Sequence, residues 1–208
     1  MSTIDEKGNL LELGKKSPLF KNQDFMNCKD FLASIKHYYL AFAPNVLIKT
    51  NLLIHIRFPE FIINEDLYFA FECFLNASNI ASVDSPTYLY RQRAGSISHA
   101  QSFHQHKLPL LAKSYLYNAN YLLQLLKKYP NESFTHLIDR CLRYNASPAI
   151  TFCILSNTSK KSDLKILLPY ANSKAKLCFY FPFIFKALRS AKLKLKSIQS
   201  YFSSKITQ

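Results

Sequence analysis

The strongest constraint on the fold is the second half of the chain, which from Lys107 onward carries the apolar spacing of α-helices. We predict helices over residues 107–128, 133–156 and 162–170, and a basic helix from about residue 183. Pro148 predicts an interruption of the second helix, because a proline inside a helix removes a backbone donor and costs about 3 kcal/mol. This half is therefore predicted to be a helical region.

The first half of the chain mixes extended and helical patterns. Residues 1–30 are polar and contain two of the three glycines, which indicates turns and extended pieces. Residues 31–42 and the apolar positions that follow Asn64 indicate helices, with Asn64 as a side-chain N-cap. Residues 79–84 and 87–93 indicate strands. The two halves together predict an α/β fold class with a mostly helical C-terminal region.

The composition is that of a folding chain with a strong positive charge. The chain has 208 residues, of which 49% are hydrophobic, and its formal net charge is +14. The last acidic residue is Asp163, and eight lysines and arginines follow from Lys174 onward. A segment with charges of one sign predicts contact with an anionic partner.

Several function classes lack their sequence signatures. With only three glycines, the chain has neither a Gly-x-Gly-x-x-Gly motif nor a P-loop, and it has no Gly-x-Ser-x-Gly nucleophile turn. The five cysteines form no Cys-x-x-Cys pair, which favours buried thiols in a reduced compartment over a zinc site. His99, His104 and His106 could form a metal cluster, but histidines on a polar loop are more often simply solvated.

The sequence shows no secretion signal and no membrane-spanning segment. Residues 1–16 lack the apolar stretch of a signal peptide. The longest apolar run, residues 177–185, is much shorter than the roughly 20 residues that cross a bilayer. We therefore expect a cytoplasmic protein, or one that binds peripherally to the inner face of the cytoplasmic membrane.

Two features could carry chemistry. Glu65 and Asp66 are adjacent carboxylates at the start of a predicted helix. Arg91 and Arg93 lie two residues apart on a predicted strand, so their side chains point the same way, and Ser96 follows them. Paired guanidinium groups suit a diphosphate or a carboxylate. Each feature also has an ordinary structural interpretation, because carboxylates stabilise helix N-termini and arginines often lie at solvated sheet edges.

In their order along the chain, these features resemble a known family. The segments APNVLIKTNLL (43–53) and IRFPEFIINEDLYFAFECFLNASNIASVDSPTYLYRQRAGSIS (56–98) resemble the second half of a family 2 glycosyltransferase of the GT-A fold. The resemblance is greatest to bacterial enzymes that build capsules and lipopolysaccharide. It covers roughly residues 40–100. It implies that residues 1–105 form the acceptor-side part of a GT-A-like domain and that residues 106–208 form a helical C-terminal region with a basic tail.

The resemblance implies an inverting transfer of a sugar from a nucleotide sugar to a glycan or lipid-linked acceptor. Asp66 would take the proton of the acceptor hydroxyl, and Glu65 would help to place Asp66 or contact the acceptor. Arg91, Arg93 and Ser96 would contact the departing nucleoside diphosphate, whose charge a divalent cation (Mn²⁺ or Mg²⁺) would neutralise. A helix N-terminus would also lower the pKa of Asp66 and fix its direction.

The chain departs from this family in the part that binds the donor. The Asp-x-Asp motif that holds the metal occurs nowhere in the sequence, and Val46 stands where the family usually has a basic residue. We therefore expect that the chain does not bind a nucleotide sugar productively by itself. It would then be a truncated enzyme or one part of a split enzyme, with a partner chain that supplies the donor half.

The basic tail supports a separate prediction. Residues 176–206 combine lysines with aromatic and aliphatic residues, which is typical of contact with an anionic membrane surface. The alternative is that the aromatic residues pack on the domain and the lysines only face water.

A second hypothesis for the whole chain is a non-catalytic basic binding module, either for nucleic acid or as a scaffold for a complete glycosyltransferase. The positive charge supports binding to nucleic acid. However, no nucleic-acid-binding motif is present and the basic residues concentrate in one segment, so nucleic acid is the less favoured partner.

Overall fold

The second half of the sequence has helical spacing and forms helices, whereas the first half has mixed spacing and forms short strands and helices. The computed structural model describes residues 2–5, 7–12, 25–35, 46–81, 88–92 and 107–191. Within these ranges the protein is mostly helical, and its short strands lie in the first half of the chain. The predicted α/β class with a helical C-terminal region is confirmed at this coarse level.

The helices and strands have the following bounds. The strands are β1 (Ser2–Ile4), β2 (Leu10–Glu12), β3 (Met26–Asn27), β4 (Asn79–Ile80) and β5 (Leu89–Arg91). The helices are α1 (Cys28–Ser34), α2 (Glu65–Asn76), α3 (Leu108–Lys128), α4 (Thr135–Ser156), α5 (Lys161–Leu164), α6 (Ser173–Tyr180) and α7 (182–191). Two 3₁₀ segments cover Thr50–Leu53 and Lys165–Tyr170.

The described strands form two small sheets. In the first sheet, β1 lies between β2 and β5, antiparallel to β2 and parallel to β5. In the second sheet, β3 pairs with β4 in antiparallel fashion. The range 79–84, predicted to be a strand, contains β4, and the range 87–93 contains β5. Residues 82–87 and 93 lie outside the described ranges.

Helices α3 and α4 form the centre of the hydrophobic core and make the most extensive contact between any two elements. Their apolar positions recur at helical spacing, so each helix presents one continuous side to the other. Leu122 on α3 and Leu137, Ile138, Leu142 and Ile150 on α4 are fully buried. Each such side chain contributes about 1.5–3 kcal/mol of burial free energy, which makes this helix pair the main support of the fold.

Pro148 does not interrupt α4. The helix runs without a break from Thr135 to Ser156, so the predicted interruption is wrong. The residues that flank the proline, Ala146, Ala149 and Ile150, are fully buried. The burial of these side chains against the neighbouring helices outweighs the roughly 3 kcal/mol that a proline costs inside a helix.

The core joins the two halves of the chain. Phe31 and Leu32 of α1 and Leu67 and Phe71 of α2 belong to the same cluster of buried residues as α3, α4 and α6, and this cluster extends to Phe185. The first half of the chain thus packs α1 and α2 on the helical region. The division of the chain at residues 105 and 106 stays a prediction.

Other predicted elements agree with the structure in part. The helix predicted over residues 31–42 is α1, which begins earlier and ends at Ser34, and residues 36–45 lie outside the described ranges. The helix predicted over 162–170 is the short α5 followed by a 3₁₀ segment. The basic helix expected from about residue 183 is α7. All five cysteines are buried, as predicted.

Within the described part of the chain, none of the helices combines the length and the hydrophobicity that crossing a membrane requires. The shortness of the apolar runs predicts this result.

Candidate functional site

Glu65 and Asp66 form the first turn of α2. The ordinary interpretation of the pair, that it marks a helix N-terminus, is therefore confirmed. Asn64 is the N-cap residue of α2, as predicted, but its side chain makes no capping hydrogen bond. The backbone of Asn64 is left-handed, with φ 63° and ψ 34°, and its side chain interacts with the hydroxyl of Tyr115 instead.

The loop before α2 contains two left-handed residues that are not glycine. Phe61 has φ 57° and Asn64 has φ 63°. Asparagine tolerates this conformation, but it is strained for a bulky residue such as phenylalanine. Such strain persists only where surrounding contacts determine the backbone, and it often occurs near functional sites.

Two buried polar side chains of α3 determine the backbone of this loop. Ser114 Oγ accepts a hydrogen bond of 2.8 Å from the backbone N–H of Ile63 and donates one of 2.8 Å to the carbonyl of Leu110. One helical turn later, Asn118 Nδ2 donates a hydrogen bond of 3.0 Å to the carbonyl of Asn64. Both side chains are fully buried. The start of α2 is therefore fixed to α3 through the backbone of two successive residues, Ile63 and Asn64.

A small apolar cluster lies on the side of α2 that carries Asp66. Phe69 and Cys73 are three and seven residues further along α2, so they share this side of the helix. Both are buried together with Ile56, and Phe58 stacks on Phe69 with ring centroids 3.9 Å apart. Asp66 is itself partly buried.

The pKa of Asp66 is raised above its ordinary value. Burial is the main cause, the negative charge of Glu65 adds to it, and hydrogen bonds from backbone N–H groups at the helix start oppose it. The expectation that the helix N-terminus lowers this pKa is therefore wrong. Desolvation and a neighbouring like charge outweigh the helix start here, because both disfavour the ionised form.

Glu65 lies on the neighbouring side of α2, about 100° around the helix from Asp66, with Tyr68 and Glu72 at positions i, i+3 and i+7. This side faces tyrosines of α3. The hydroxyl of Tyr121 donates a hydrogen bond of 2.7 Å to Glu72 Oε1, and the ring of Tyr68 lies 4.7 Å from that of Tyr121. Burial, then the hydrogen bond and charge of Glu72, raise the pKa of Tyr121 far above its usual range.

A cleft of about 470 Å³ lies between α3 and the residues that follow α4. Two residues of α3 connect the cleft to the start of α2. The Nζ atom of Lys113 lies 5.7 Å from the centroid of the Phe61 ring, and the rings of Tyr117 and Tyr68 lie 5.8 Å apart. The lining combines apolar, hydroxyl, amide and ammonium groups from Pro109, Lys113, Leu116, Tyr117, Asn120, Thr158 and Ser159.

The other predicted site residues lie elsewhere or outside the described ranges. Arg91 is exposed on β5, which pairs with β1, whereas Glu65 and Asp66 lie on a helix that packs on α1 and α3. Arg93 and Ser96 lie in the range 93–106, which the structure does not describe, as do His99, His104 and His106. The structure thus brings the two carboxylates together and places Arg91 on a different element.

A divalent cation is implied by the resemblance. Among the residues that the structure describes, no three His, Cys, Asp or Glu side chains are grouped in a way that could bind a metal ion. The described residues therefore do not fit such an ion, and we derive no step of chemistry from one.

Sequence reasoning did not identify Ser114, Asn118 and Tyr121 as parts of this site. A signal was present, because Ser114 and Asn118 lie one turn apart in a helix whose neighbouring inward positions are apolar, such as Leu111 and Leu122. Buried polar side chains usually serve a hydrogen bond. Their partners, however, lie more than 50 residues away in sequence and could not be identified from spacing.

Comparisons with known proteins returned no match: no protein-family model fits the chain, and no curated protein or solved structure is significantly similar to it.

Proposed function

We propose that this protein is glycosyltransferase-like and carries the acceptor side of an inverting sugar transfer in cell-surface polysaccharide synthesis. The observation that carries the proposal is Asp66, a partly buried carboxylate of raised pKa at the start of α2. It occupies the position that the Glu-Asp motif of family 2 glycosyltransferases assigns to the catalytic base.

A carboxylate in this environment is suited to proton transfer. In an inverting transfer the acceptor oxygen bonds to the anomeric carbon, the bond from that carbon to the nucleoside diphosphate breaks, and the hydroxyl proton passes to the base. A base with a raised pKa takes this proton more readily than an ordinary aspartate. The proposed base is Asp66, because burial and the charge of Glu65 raise its pKa.

The supports of α2 also favour a positioned base. A base must lie within hydrogen-bond reach of the proton that it removes, so its backbone has to be well ordered. Ser114 and Asn118 hold the two residues before Glu65 by direct hydrogen bonds to their backbone. The direction of Asp66 therefore depends on buried contacts with α3 rather than on the loop alone.

The cleft on α3, whose lining residues Lys113 and Tyr117 also contact Phe61 and Tyr68, is the proposed place for the acceptor glycan. Sugars combine hydroxyl groups with apolar C–H faces, so a site for them needs hydrogen-bonding groups and an aromatic or aliphatic surface. The ring of Tyr117 and the polar groups of Asn120, Thr158 and Ser159 provide both. The resemblance further assigns Arg91, Arg93 and Ser96 to the nucleoside diphosphate, and this assignment is part of the proposal.

Binding of oligosaccharides by saturation-transfer NMR tests the proposal. The panel contains repeat units of bacterial capsules and lipopolysaccharides, and it is applied to the wild type, Asp66→Ala, Tyr117→Ala and the control Glu60→Ala. Glu60 is an exposed carboxylate in the preceding loop. We expect Asp66→Ala and Tyr117→Ala each to weaken binding about fivefold, the effect of losing roughly 1 kcal/mol of contact, and Glu60→Ala to leave it unchanged.

Two results would contradict the proposal. The first is the absence of binding to every oligosaccharide of the panel. The second is salt-sensitive binding to mixed oligonucleotides in a gel shift with no glycan binding, which would favour the non-catalytic basic module. Isothermal titration with nucleotide sugars and manganese tests the donor separately, and there we expect no micromolar binding by this chain alone.

A further inference from the structure

Helix α7 exposes its apolar side. The side that packs on the protein contains Phe185, which is buried, together with the partly buried Lys186 and Arg189. On the opposite side, Phe183 is 86% exposed and Leu188 59% exposed, and the neighbouring Ile184 is also exposed. The remaining residues of that side are Ala187, Ser190 and Ala191. A helix on the surface of a globular protein usually has the reverse arrangement, with its charged residues outward.

Phe181, between α6 and α7, is a further exposed aromatic residue. The backbone N–H of Phe185 donates a hydrogen bond of 3.0 Å to the carbonyl of Phe181, so Phe181 lies one turn before Phe185 on the same helical path. Its side chain is exposed. We refer to Phe181, Phe183, Ile184 and Leu188 as the outer apolar face. Adjacent exposed residues of this size usually mark a binding surface.

The segment that carries this face is strongly cationic. Lys174 and Lys176 are exposed on α6. Lys161 Nζ lies 5.0 Å from the centroid of the Phe179 ring. Burial raises the pKa of the Cys178 thiol, and the positive charges of Lys186, Arg189, Lys161 and Lys174 oppose that rise. No acidic residue follows Asp163 in the sequence to balance them.

We propose that α7 docks on an anionic membrane surface, with the outer apolar face among the acyl chains and the exposed lysines of α6 against the lipid headgroups. Charge complementarity identifies an anionic membrane as the partner, because lysines and arginines without neighbouring acidic residues attract the negatively charged leaflet. Nucleic acid fits this face less well than a membrane does. Bases stack on aromatic rings and phosphates bind cations, whereas Ile184 and Leu188 provide neither an aromatic ring nor a positive charge.

The structure also divides the aromatic residues of this segment into two groups. Phe179 and Phe185 pack on the protein, as the alternative interpretation of the tail assumed, but Phe181 and Phe183 do not. Interfacial helices bury aromatic and aliphatic residues in the boundary between headgroups and acyl chains. This proposal rests on the exposed face and its charges, and it stands or falls independently of the proposed glycosyltransferase function.

Vesicle co-sedimentation tests this docking. Phosphatidylcholine vesicles with and without one third of phosphatidylglycerol are mixed with the full chain. The test variant combines Phe183→Gln, Ile184→Gln and Leu188→Gln. The matched control combines Phe25→Gln, Leu47→Gln and Ile54→Gln, which are exposed residues of the same three types elsewhere on the protein. A further variant combines Lys174→Gln and Lys176→Gln.

We expect the wild type and the control to sediment with the anionic vesicles and to remain in solution with the neutral ones. The triple variant of α7 should lose this binding while its circular dichroism stays unchanged, and each lysine removed should weaken it about fivefold. The proposal is wrong if the wild type ignores anionic lipid or if the α7 variant still sediments. A dimer in sedimentation velocity that the α7 substitutions abolish, without vesicle binding, would assign this face to a second copy of the chain.

Discussion

The side-chain amide of Asn118 donates a hydrogen bond of 3.0 Å to the backbone carbonyl of Asn64, and it thereby connects the middle of α3 to the residue before the Glu65–Asp66 pair. The backbone of Asn64 is left-handed. On the same side of α3, one turn before Asn118, Ser114 Oγ accepts a hydrogen bond from the N–H of Ile63. A local backbone conformation beside the candidate base thus depends on a contact between distant parts of the chain.

Asn118→Ala should lower the free energy of unfolding by about 1 kcal/mol, because it removes a buried hydrogen bond to the carbonyl of Asn64, which still accepts from the N–H of Leu67. Urea denaturation measures this loss. Asn120→Ala is the matched control, because Asn120 is exposed on the same helix, and it should change stability by less than about 0.5 kcal/mol. Equal effects of the two substitutions would show that the link between α3 and the loop does not stabilise the fold.

Ser114→Ala should loosen the loop before α2 more than it changes global stability. The N–H of Ile63 loses its acceptor, so its hydrogen exchange should accelerate by at least about tenfold, the effect of roughly 1.4 kcal/mol of lost protection. NMR exchange of individual amides measures this. Amides in the centre of α4 serve as the internal reference and should keep their rates. Unchanged exchange at Ile63 would contradict the role of Ser114.

Asp66→Asn should stabilise the protein at neutral pH. In the folded state the pKa of Asp66 is raised above the unfolded value of about 3.9, so in the range just above that value the folded state binds more protons than the unfolded state. Stability therefore falls as the pH rises from the unfolded pKa through the folded one. The substitution removes this penalty, and the gain should be about 1 kcal/mol or less, because solvent screens a partly exposed carboxylate.

Denaturation curves of wild type and Asp66→Asn, recorded from acid to neutral pH, check this sign. The difference should be largest near neutrality and should vanish below the unfolded pKa, where both states are protonated. Glu65→Gln should reduce the gain, because the charge of Glu65 is the second cause of the shift. A loss of stability in Asp66→Asn at neutral pH would contradict the raised pKa. A gain in stability together with a loss of glycan binding would mark Asp66 as a residue kept for function.

Tyr121→Phe should destabilise the protein by about 1–2 kcal/mol. The phenol donates a 2.7 Å hydrogen bond to Glu72, and without it the partly buried carboxylate loses its donor. Thermal or chemical denaturation measures the cost. Tyr180→Phe is the matched control, because Tyr180 is exposed and should tolerate the change. A neutral Tyr121→Phe would show that water replaces the phenol at Glu72.

Pro148→Ala should stabilise α4 by about 1–3 kcal/mol, because the helix is already continuous through this position and alanine restores the missing backbone donor. Pro109→Ala provides the control. Pro109 lies in the first turn of α3, where proline costs little because the N–H has no helical acceptor. If Pro148→Ala destabilises the protein, the proline ring contributes packing that exceeds the lost hydrogen bond.

Much of the secondary structure could be predicted because it depends on local spacing. The predicted helix over residues 107–128 is α3 to within one residue, and Glu65 begins a helix as the pattern after Asn64 indicated. The prolines were harder to interpret from sequence. Pro148 was expected to break α4, but the cost of one proline is small beside the burial that surrounds it.

The properties of the candidate site depended on packing instead. The sequence places two carboxylates at a helix start, where the helix dipole alone would lower the pKa. Burial of Asp66 reverses the direction of its pKa shift, and burial is not visible in spacing. The left-handed Asn64 is likewise determined by partners on α3 rather than by its own preference for an N-cap.

By itself, the sequence determined the helical second half of the chain, the carboxylate pair at the start of α2 and the one-signed charge after Asp163, because these follow from local periodicity and composition. The tertiary structure alone decided that Asp66 has a raised pKa, that α3 holds the loop before it, and that Phe183 faces outward while Phe185 is buried. The physical reason is that desolvation and hydrogen bonding between distant residues arise only when the helices pack together.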